Sequence, residues 1–244
     1  MYLLDGVNME QYYKIAGLTV AMNTYGRTEK QAKPYMIEYM GEPAIRIVSY
    51  KDVVKERMVN VSDDDAEYLG TGGSFYKELL NFDGFRLHAS TVVHNEKAYM
   101  FSAPSGTGKS THTNLWLNML GDKAYILNDD KPALRLIDDQ WYAFGTPWSG
   151  KHDISVNNGV PVGGICMLER GKTNEIAPYY GKDAIFELFV QTNRPKAAAY
   201  RIKLLELLDD LFRQIPVWKM KCNMELDAAK VAYEAMTGKK MEER

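Results

Sequence analysis

The chain has 244 residues, of which 45% are hydrophobic and 25% charged, and its formal net charge is -2. A chain of this length can bury a sizeable hydrophobic core. The near-neutral net charge does not indicate a basic surface for nucleic acid or an anionic membrane, so neither partner is expected. No apolar run approaches the length needed to cross a bilayer. The two cysteines, Cys166 and Cys222, are predicted to be buried free thiols, which favours a cytoplasmic protein.

Residues 1–84 are predicted to form a strand-rich region packed on the core that follows. Half-buried strands are predicted at 11–25, 34–40 and 44–50, because apolar and other residues alternate there. Ser62 and the acidic run after it indicate a loop or a helix start, and a short helix is expected at 74–81. No pattern here indicates chemistry.

Residues 85–244 are predicted to form an α/β (α+β) domain with a mixed β-sheet flanked by helices. Strands at 87–93 and 97–102 are expected to pair around a turn at 94–96, and the second leads through a glycine-rich loop into a helix at 109–120. Further strands are predicted at 124–128, 133–137, 141–144, 163–168 and 217–222, and further helices at 183–191, 201–214 and 226–236.

The loop from Ala103 to Ser110 carries the clearest chemical pattern in the chain. It matches the P-loop (Walker A) pattern G-x-x-x-x-G-K-[ST], except that Ala103 replaces the first glycine. Alanine is tolerated there if its φ stays negative, whereas Gly106 and Gly108 remain free for positive φ. Their backbone amides can then converge on phosphate oxygens.

This loop predicts an ATP–Mg²⁺ site. Lys109 would reach the β- and γ-phosphates, and the Ser110 hydroxyl would ligate Mg²⁺. The alternative is a glycine-rich turn with an exposed lysine. The expected nucleotide contacts are Ala103, Pro104, Ser105, Gly106, Thr107, Gly108, Lys109, Ser110 and Thr111.

Two carboxylates, Asp129 and Asp130, follow the apolar strand at 124–128. One metal ligand is enough for a nucleotide site, so the pair indicates two roles. One of them could ligate Mg²⁺, while the other accepts a proton from an attacking hydroxyl. The alternative is that one or both are only loop or cap residues.

His88 begins the strand that pairs with the strand before the loop. If the two strands run antiparallel, its imidazole can reach the γ-phosphate or the base carboxylate; otherwise it is a structural histidine. The remaining histidines are expected at the surface: His94, His112 and His152.

The loop at 145–151 is rich in turn-forming residues. Lys151 could neutralise charge on a transferring phosphoryl group, unless the loop is a packed connection with Trp148 as a lid on the core. The apolar stripe of the helix at 201–214 is predicted to lie in the core: Ile202, Leu205, Leu208 and Phe212.

Together, the segments Leu87-His88-Ala89-Ser90, Ser105-Gly106-Thr107-Gly108-Lys109-Ser110 and Asn128-Asp129-Asp130 resemble the HPr kinase/phosphorylase and ATP-dependent phosphoenolpyruvate carboxykinase superfamily. The resemblance covers roughly residues 86–170. It is strongest to the small HPr-kinase-like proteins encoded beside peptide-modification systems, including lasso-peptide kinases. It implies a phosphoenolpyruvate carboxykinase-like core.

The resemblance also implies roles for single residues. His88 would be the active-site histidine, Lys109 the loop lysine and Ser110 the metal-binding hydroxyl. Asp130 would accept the proton of a substrate serine, with Asp129 nearer the metal.

The sequence therefore predicts a kinase that transfers the γ-phosphoryl group of ATP to a serine-type hydroxyl on a peptide or protein. One alternative is a small-molecule kinase acting on free serine or a carboxylic acid, and another is a nucleotide-responsive binding module with slow ATP hydrolysis. Paired aspartates favour a kinase, and a homo-oligomer is left open. The predicted catalytic residues are Asp130, His88, Lys109 and Lys151.

Overall fold

The computed structural model describes residues 10–39 and 41–241 of the chain. Within these residues, no helix has both the length and the apolar character needed to span a membrane. The architecture is α/β, with two mixed sheets and helices on their faces, which confirms the predicted fold class.

The first sheet is small and lies in the N-terminal third of the chain. Its strands are β1 Gln11–Ile15, β2 Leu18–Met22, β3 Met36–Ile37 and β4 Ile45–Arg46, in the order β3-β1-β2-β4. Three helices accompany it: α1 Gly26–Ala32, α2 Lys51–Arg57 and α3 Asp63–Glu78. Short 3-10 turns follow α1 and α3, at Lys33–Tyr35 and Leu79–Phe82.

The second sheet has nine strands and carries the core. They are β5 Gly84–Arg86, β6 Ala89–His94, β7 Lys97–Ser102, β8 Ala124–Asn128, β9 Ala133–Ile137, β10 Gln140–Phe144, β11 Gly159–Arg170, β12 Glu175–Pro178 and β13 Val217–Cys222. The main order is β5-β9-β10-β11-β7-β6-β8, and β13 pairs with β11 and β12. Strand β11 is parallel to β7 and β13, while β6 and β7 are antiparallel.

Four helices cover the two faces of this sheet: α4 Lys109–Leu120, α5 Lys182–Val190, α6 Ala198–Gln214 and α7 Leu226–Thr237. Side chains alternate along a strand, so neighbours enter different clusters. Met100 and Met167 pack with α5 and α6, whereas Phe101 and Leu168 pack with α4 and α7. A 3-10 turn, Gly121–Lys123, connects α4 to β8.

The prediction of one strand at 11–25 is wrong, because the chain reverses within it. Ala16 and Gly17 have φ of 49° and 77°, which makes a two-residue turn that pairs Ile15 with Leu18. The strands expected at 34–40 and 44–50 are present only in part, as β3 and β4 on opposite edges of the small sheet; residue 40 lies outside the described residues.

Helix α3 is much longer than the short helix expected at 74–81. Ser62 caps it by accepting a hydrogen bond from the Asp65 amide at 3.1 Å. The glycines of α3 obscured its helical pattern in the sequence, and one of them is required by packing. A Cβ at Gly72 would lie 2.8 Å from the Trp148 ring, so the bare backbone is needed for contact.

Trp148 is a lid on a core shared by the two parts of the chain, as the packed-connection alternative expected. Its buried ring stacks on Phe75 at 4.9 Å, and its indole N–H donates to Thr71 at 3.2 Å. The division into 1–84 and 85–244 stays a prediction, although the described residues of both parts share this core.

The predicted burial of four residues needs correction. Ile202 and Leu205 are 58% and 47% exposed, because the buried stripe of α6 runs through Leu204, Leu207, Leu208 and Leu211. Leu208 is buried as predicted, and Phe212 packs against the core partly buried. His94 and His112 are buried rather than superficial. His94 reaches the Lys123 carbonyl at 2.9 Å, and His112 packs on Phe101.

The free thiols and the remaining elements agree better with expectation. Cys166 is buried and Cys222 is half-buried, and neither forms a disulfide. His152 is exposed, as predicted. The β6–β7 and β9–β10 hairpins, the helix Lys109–Leu120 and the strand Val217–Cys222 are confirmed.

Glu67 is a fully buried acid inside α3. Its Oε2 accepts a hydrogen bond from the Thr28 hydroxyl, and its Oε1 has no hydrogen-bond partner among residues 10–39 and 41–241. Burial raises the pKa of Glu67 from 4.5 to about 7, although the Thr28 hydrogen bond acts in the opposite direction.

This shift predicts a pH-dependent stability that Glu67→Gln removes. The stabilisation linked to Glu67 is complete below about pH 4.5 and is lost as the pH rises to about 7. The free energy of unfolding of the wild type, relative to the variant, should therefore fall by about 2–3 kcal/mol between pH 5 and pH 8. Urea unfolding of both proteins at the two pH values measures this difference.

His112 does not disturb the comparison. Burial lowers the pKa of His112 to about 4, which favours unfolding as the pH falls, but this contribution is common to both proteins and cancels. Equal pH dependence of the wild type and the variant would contradict the buried, protonated state of Glu67.

Candidate functional site

A cavity of about 720 Å³ lies where the glycine-rich loop, the end of β8 and the N-terminal helices meet. The structure brings to it most of the residues singled out from the sequence. His88, Ser105, Gly106, Gly108, Lys109, Ser110, Thr111, Asp129, Asp130 and Lys151 all line it. Ala103, Pro104 and Thr107 belong to the same loop without lining the cavity.

The loop has the backbone that its sequence predicts. Gly106 and Gly108 have φ of 78° and 121°, while Ala103 is buried and is not among the residues with positive φ. A Cβ would meet no atom within 4 Å at either glycine, so their requirement is conformational rather than steric. Alanine therefore fits at the position of the first glycine.

Lys109 is buried at the start of α4, not exposed as the plain-turn alternative expects. Its Nζ donates to the carbonyl oxygens of Ala103 at 3.0 Å and Pro104 at 3.3 Å. Burial lowers the pKa of Lys109, against the opposing charges of Asp130 and Asp129. The loop thus holds the Lys109 ammonium group within the cavity, and a bound anion would stabilise that buried charge.

Ser110 and Asp129 form a pair of oxygen donors. The Ser110 hydroxyl lies 2.9 and 3.0 Å from the two carboxylate oxygens of Asp129, which is buried. Hard oxygen ligands suit Mg²⁺, which keeps several waters and takes further ligands from phosphates. No group of three or more His, Cys, Asp or Glu side chains in the described residues is placed to hold a metal by itself. Ser110 and Asp129 offer two oxygen ligands of the kind that Mg²⁺ takes.

Asp130 faces a different partner. Its Oδ1 lies 3.3 Å from Nε2 of His88, and its Oδ2 pairs with Lys131. Burial raises the pKa of Asp130, but the His88 hydrogen bond and the Lys131 charge outweigh it and hold the pKa well below its usual range. The carboxylate is consequently ionised at neutral pH.

His88 reaches Asp130 because β6 and β7 are antiparallel. Ala89 pairs with Ser102 at the end of β7 where the loop begins, so His88 lies just before β6 at the same end. Its backbone N–H donates to the Gln191 carbonyl at 2.9 Å, and its Nδ1 lies 3.1 Å from Gln191 Oε1. Gln191 thus fixes both the backbone and the ring.

Gly150 is pressed against Asp130. Its φ is 77°, and a Cβ there would lie 2.9 Å from the Asp130 Cβ. Its N–H donates to the Tyr68 hydroxyl at 2.9 Å, and its carbonyl accepts from Gln31 at 3.1 Å and from Arg27. The next residue, Lys151, lines the cavity with an exposed side chain.

A second layer holds the segment that carries the carboxylates. Asn128 accepts from the Thr146 amide at 2.7 Å and donates to the Asp129 carbonyl at 2.8 Å. The Tyr76 hydroxyl donates to the Lys131 carbonyl at 2.6 Å. Arg170, at the end of β11, donates to the Gly106 carbonyl and so braces the loop.

Sequence reasoning missed every contributor from the first 84 residues. Arg27, Gln31, Tyr68 and Tyr76 support or line the cavity, together with the α2–α3 connection. They are single polar or aromatic residues without a motif, so no local signal distinguishes them. Only the packing of α1 and α3 against the loop at 145–151 identifies them.

Comparison with solved structures gives distant likenesses. The sequence matches no protein-family model and no curated protein. Among solved structures, the HPr(Ser) kinase/phosphatase from Coxiella burnetii matches with 12% identity and a TM-score of 0.34, over 63% of this chain and 93% of that chain. The function proposed below therefore rests on the residues of the site.

The contact between Gly150 and Asp130 predicts that Gly150→Ala destabilises the protein. The added methyl group meets Asp130 in a backbone conformation that disfavours side chains, so a loss of about 2 kcal/mol is expected. Gly73→Ala is the matched control, because Gly73 lies in α3 with no atom within 4 Å of its added Cβ, and alanine there should be neutral or stabilising. Urea unfolding compares the two. Equal stability of both variants would contradict the close contact.

Proposed function

We propose that this chain is an ATP- and Mg²⁺-dependent kinase that phosphorylates a serine-type hydroxyl on a peptide or protein. The proposal rests on one observation: the two adjacent carboxylates contact different partners. Asp129 contacts the Ser110 hydroxyl, while Asp130 contacts His88, and both line the cavity that contains Lys109. A nucleotide-binding module needs only the first of these contacts.

The triphosphate would lie on the loop. Backbone amides at the start of α4 and the partial positive charge of the helix terminus favour phosphate binding, and Lys109 adds a buried cation. Ser110 and Asp129 would hold Mg²⁺. When bound, the metal shields the charge of the β- and γ-phosphates.

Asp130 would orient the acceptor hydroxyl and receive its proton. In the transfer, the hydroxyl oxygen bonds to the γ-phosphorus, the bond from that phosphorus to the bridging oxygen of ADP breaks, and the proton moves to the Asp130 carboxylate. A weak base is sufficient, because a loose transition state needs little proton transfer before the bond to phosphorus forms.

The neighbours of Asp130 support this role. His88 keeps Oδ1 oriented, and Lys131 at Oδ2 favours the ionised form before the acceptor arrives. Lys151, on the cavity wall, would neutralise charge that develops on the transferring phosphoryl group.

The proposal predicts that Asp130→Asn abolishes transfer but not nucleotide binding. The amide keeps the shape of the side chain yet cannot accept the proton, so phosphorylation of serine peptides should fall by at least 100-fold. The affinity for Mg²⁺–ATP, measured by calorimetry, should change little. Asp138→Asn, in the β9–β10 turn, is the control. Wild-type activity in Asp130→Asn would contradict the assignment of the base.

Lys109→Ala tests the phosphate site itself. Removing the buried cation should weaken Mg²⁺–ATP binding by at least 10-fold, because its charge has no substitute in the loop. Lys123→Ala, in the exposed turn before β8, should bind ATP like the wild type. Calorimetric titration of the wild type and both variants with Mg²⁺–ATP measures these affinities. Unchanged affinity in Lys109→Ala would refute a nucleotide site at this loop.

A further inference from the structure

The cavity has a second wall of different chemistry. Met58, Val59 and Val61, from the connection between α2 and α3, line it together with Leu69 of α3. Met58 is 49% exposed and Val59 is 90% exposed. Large apolar side chains at the mouth of a charged cavity lose contact with water only when a ligand covers them.

The charges on this wall are already compensated. Arg27 pairs with Asp65 at 3.0 Å, stacks on the Tyr68 ring at 3.9 Å and donates to the Gly150 carbonyl. On this wall a ligand meets four apolar residues and, between the two valines, the uncharged Asn60, which favours an uncharged side chain. The exposed Lys151 lines another part of the same cavity. Methionine adapts its shape to such ligands more easily than branched residues do.

Tyr68 precedes Leu69 in α3, also lines the cavity and lies near the proposed base. The Tyr68 ring lies 5.4 Å from Nζ of Lys131, and Lys131 pairs with Asp130. The Tyr68 hydroxyl also accepts from the N–H of Gly150, which touches Asp130. Through Tyr68, α3 connects the apolar wall to the residues around the proposed base, whereas the glycine-rich loop forms the proposed phosphate site.

We propose that the apolar wall formed by Met58, Val59, Val61 and Leu69 binds an apolar side chain next to the phosphorylated hydroxyl of a polypeptide acceptor. This inference rests on the proposed kinase function and specifies its substrate class. A polypeptide fits because successive residues of an extended chain are about 3.3 Å apart, so neighbours of the reacting residue reach the cavity mouth. Free serine has no group to cover Met58 and Val59.

The test uses synthetic peptides with one serine in a glycine background and with leucine, aspartate or lysine on either side. Phosphorylation by Mg²⁺–ATP is measured for the wild type, Val59→Asp and Val48→Asp. Val48 is 62% exposed and does not line the cavity, so its variant controls for added surface charge.

The wild type and Val48→Asp should prefer the leucine peptide over the aspartate peptide by on the order of 10-fold. Val59→Asp should lose most of this preference and gain activity on the lysine peptide. Wild-type peptide preference in Val59→Asp would overturn the inference. So would weaker ATP binding in Val59→Asp with unchanged peptide preference, because the wall would then hold the nucleoside.

Binding of the same peptides separates this inference from the kinase proposal. If no peptide is phosphorylated, the proposed function fails. Fluorescence anisotropy of labelled peptides then tests on its own whether the apolar wall binds an apolar side chain. Tighter binding of the leucine peptide by the wild type, reduced in Val59→Asp and kept in Val48→Asp, supports the wall. Equal binding of the leucine and aspartate peptides overturns it.

Discussion

The carboxylates of Asp129 and Asp130, which are adjacent in sequence, both line one cavity. The backbone conformation after β8 allows this. In an extended strand, Asp129 and Asp130 would point to opposite faces. Asp130 instead has φ of 78°, a left-handed conformation that aspartate tolerates better than most residues. Because the chain turns here, Asp129 meets Ser110 while Asp130 meets His88. The chemistry proposed for the site depends on this one turn.

The turn is held largely by residues distant in sequence. Tyr76 binds the Lys131 carbonyl, and Gly150, fixed by Arg27, Gln31 and Tyr68, packs against Asp130. The N-terminal helices therefore support the site mechanically as well as forming one of its walls. The same helices bury Trp148, so the stability of this region and the geometry of the carboxylates are linked.

Local patterns predicted the backbone of the glycine-rich loop, the helix Lys109–Leu120 and the strand before the aspartates, because each depends on neighbouring residues. The β6–β7 hairpin even predicted how His88 reaches the site. Longer-range packing was not predictable. Three glycines disguised α3, of which only Gly72 is needed for contact with Trp148, and burial of His112 depends on its contact with Phe101. Tyr68 joins the site only through the fold.

The central claim is direct transfer of the γ-phosphoryl group to a hydroxyl. It is tested by incubating the protein with ATP labelled with ¹⁸O in the γ-phosphate and with serine-containing peptides, followed by mass spectrometry. The account predicts a phosphopeptide that carries the label on its phosphate. Labelled inorganic phosphate with unmodified peptide would contradict it and would indicate a nucleotide-hydrolysing module instead.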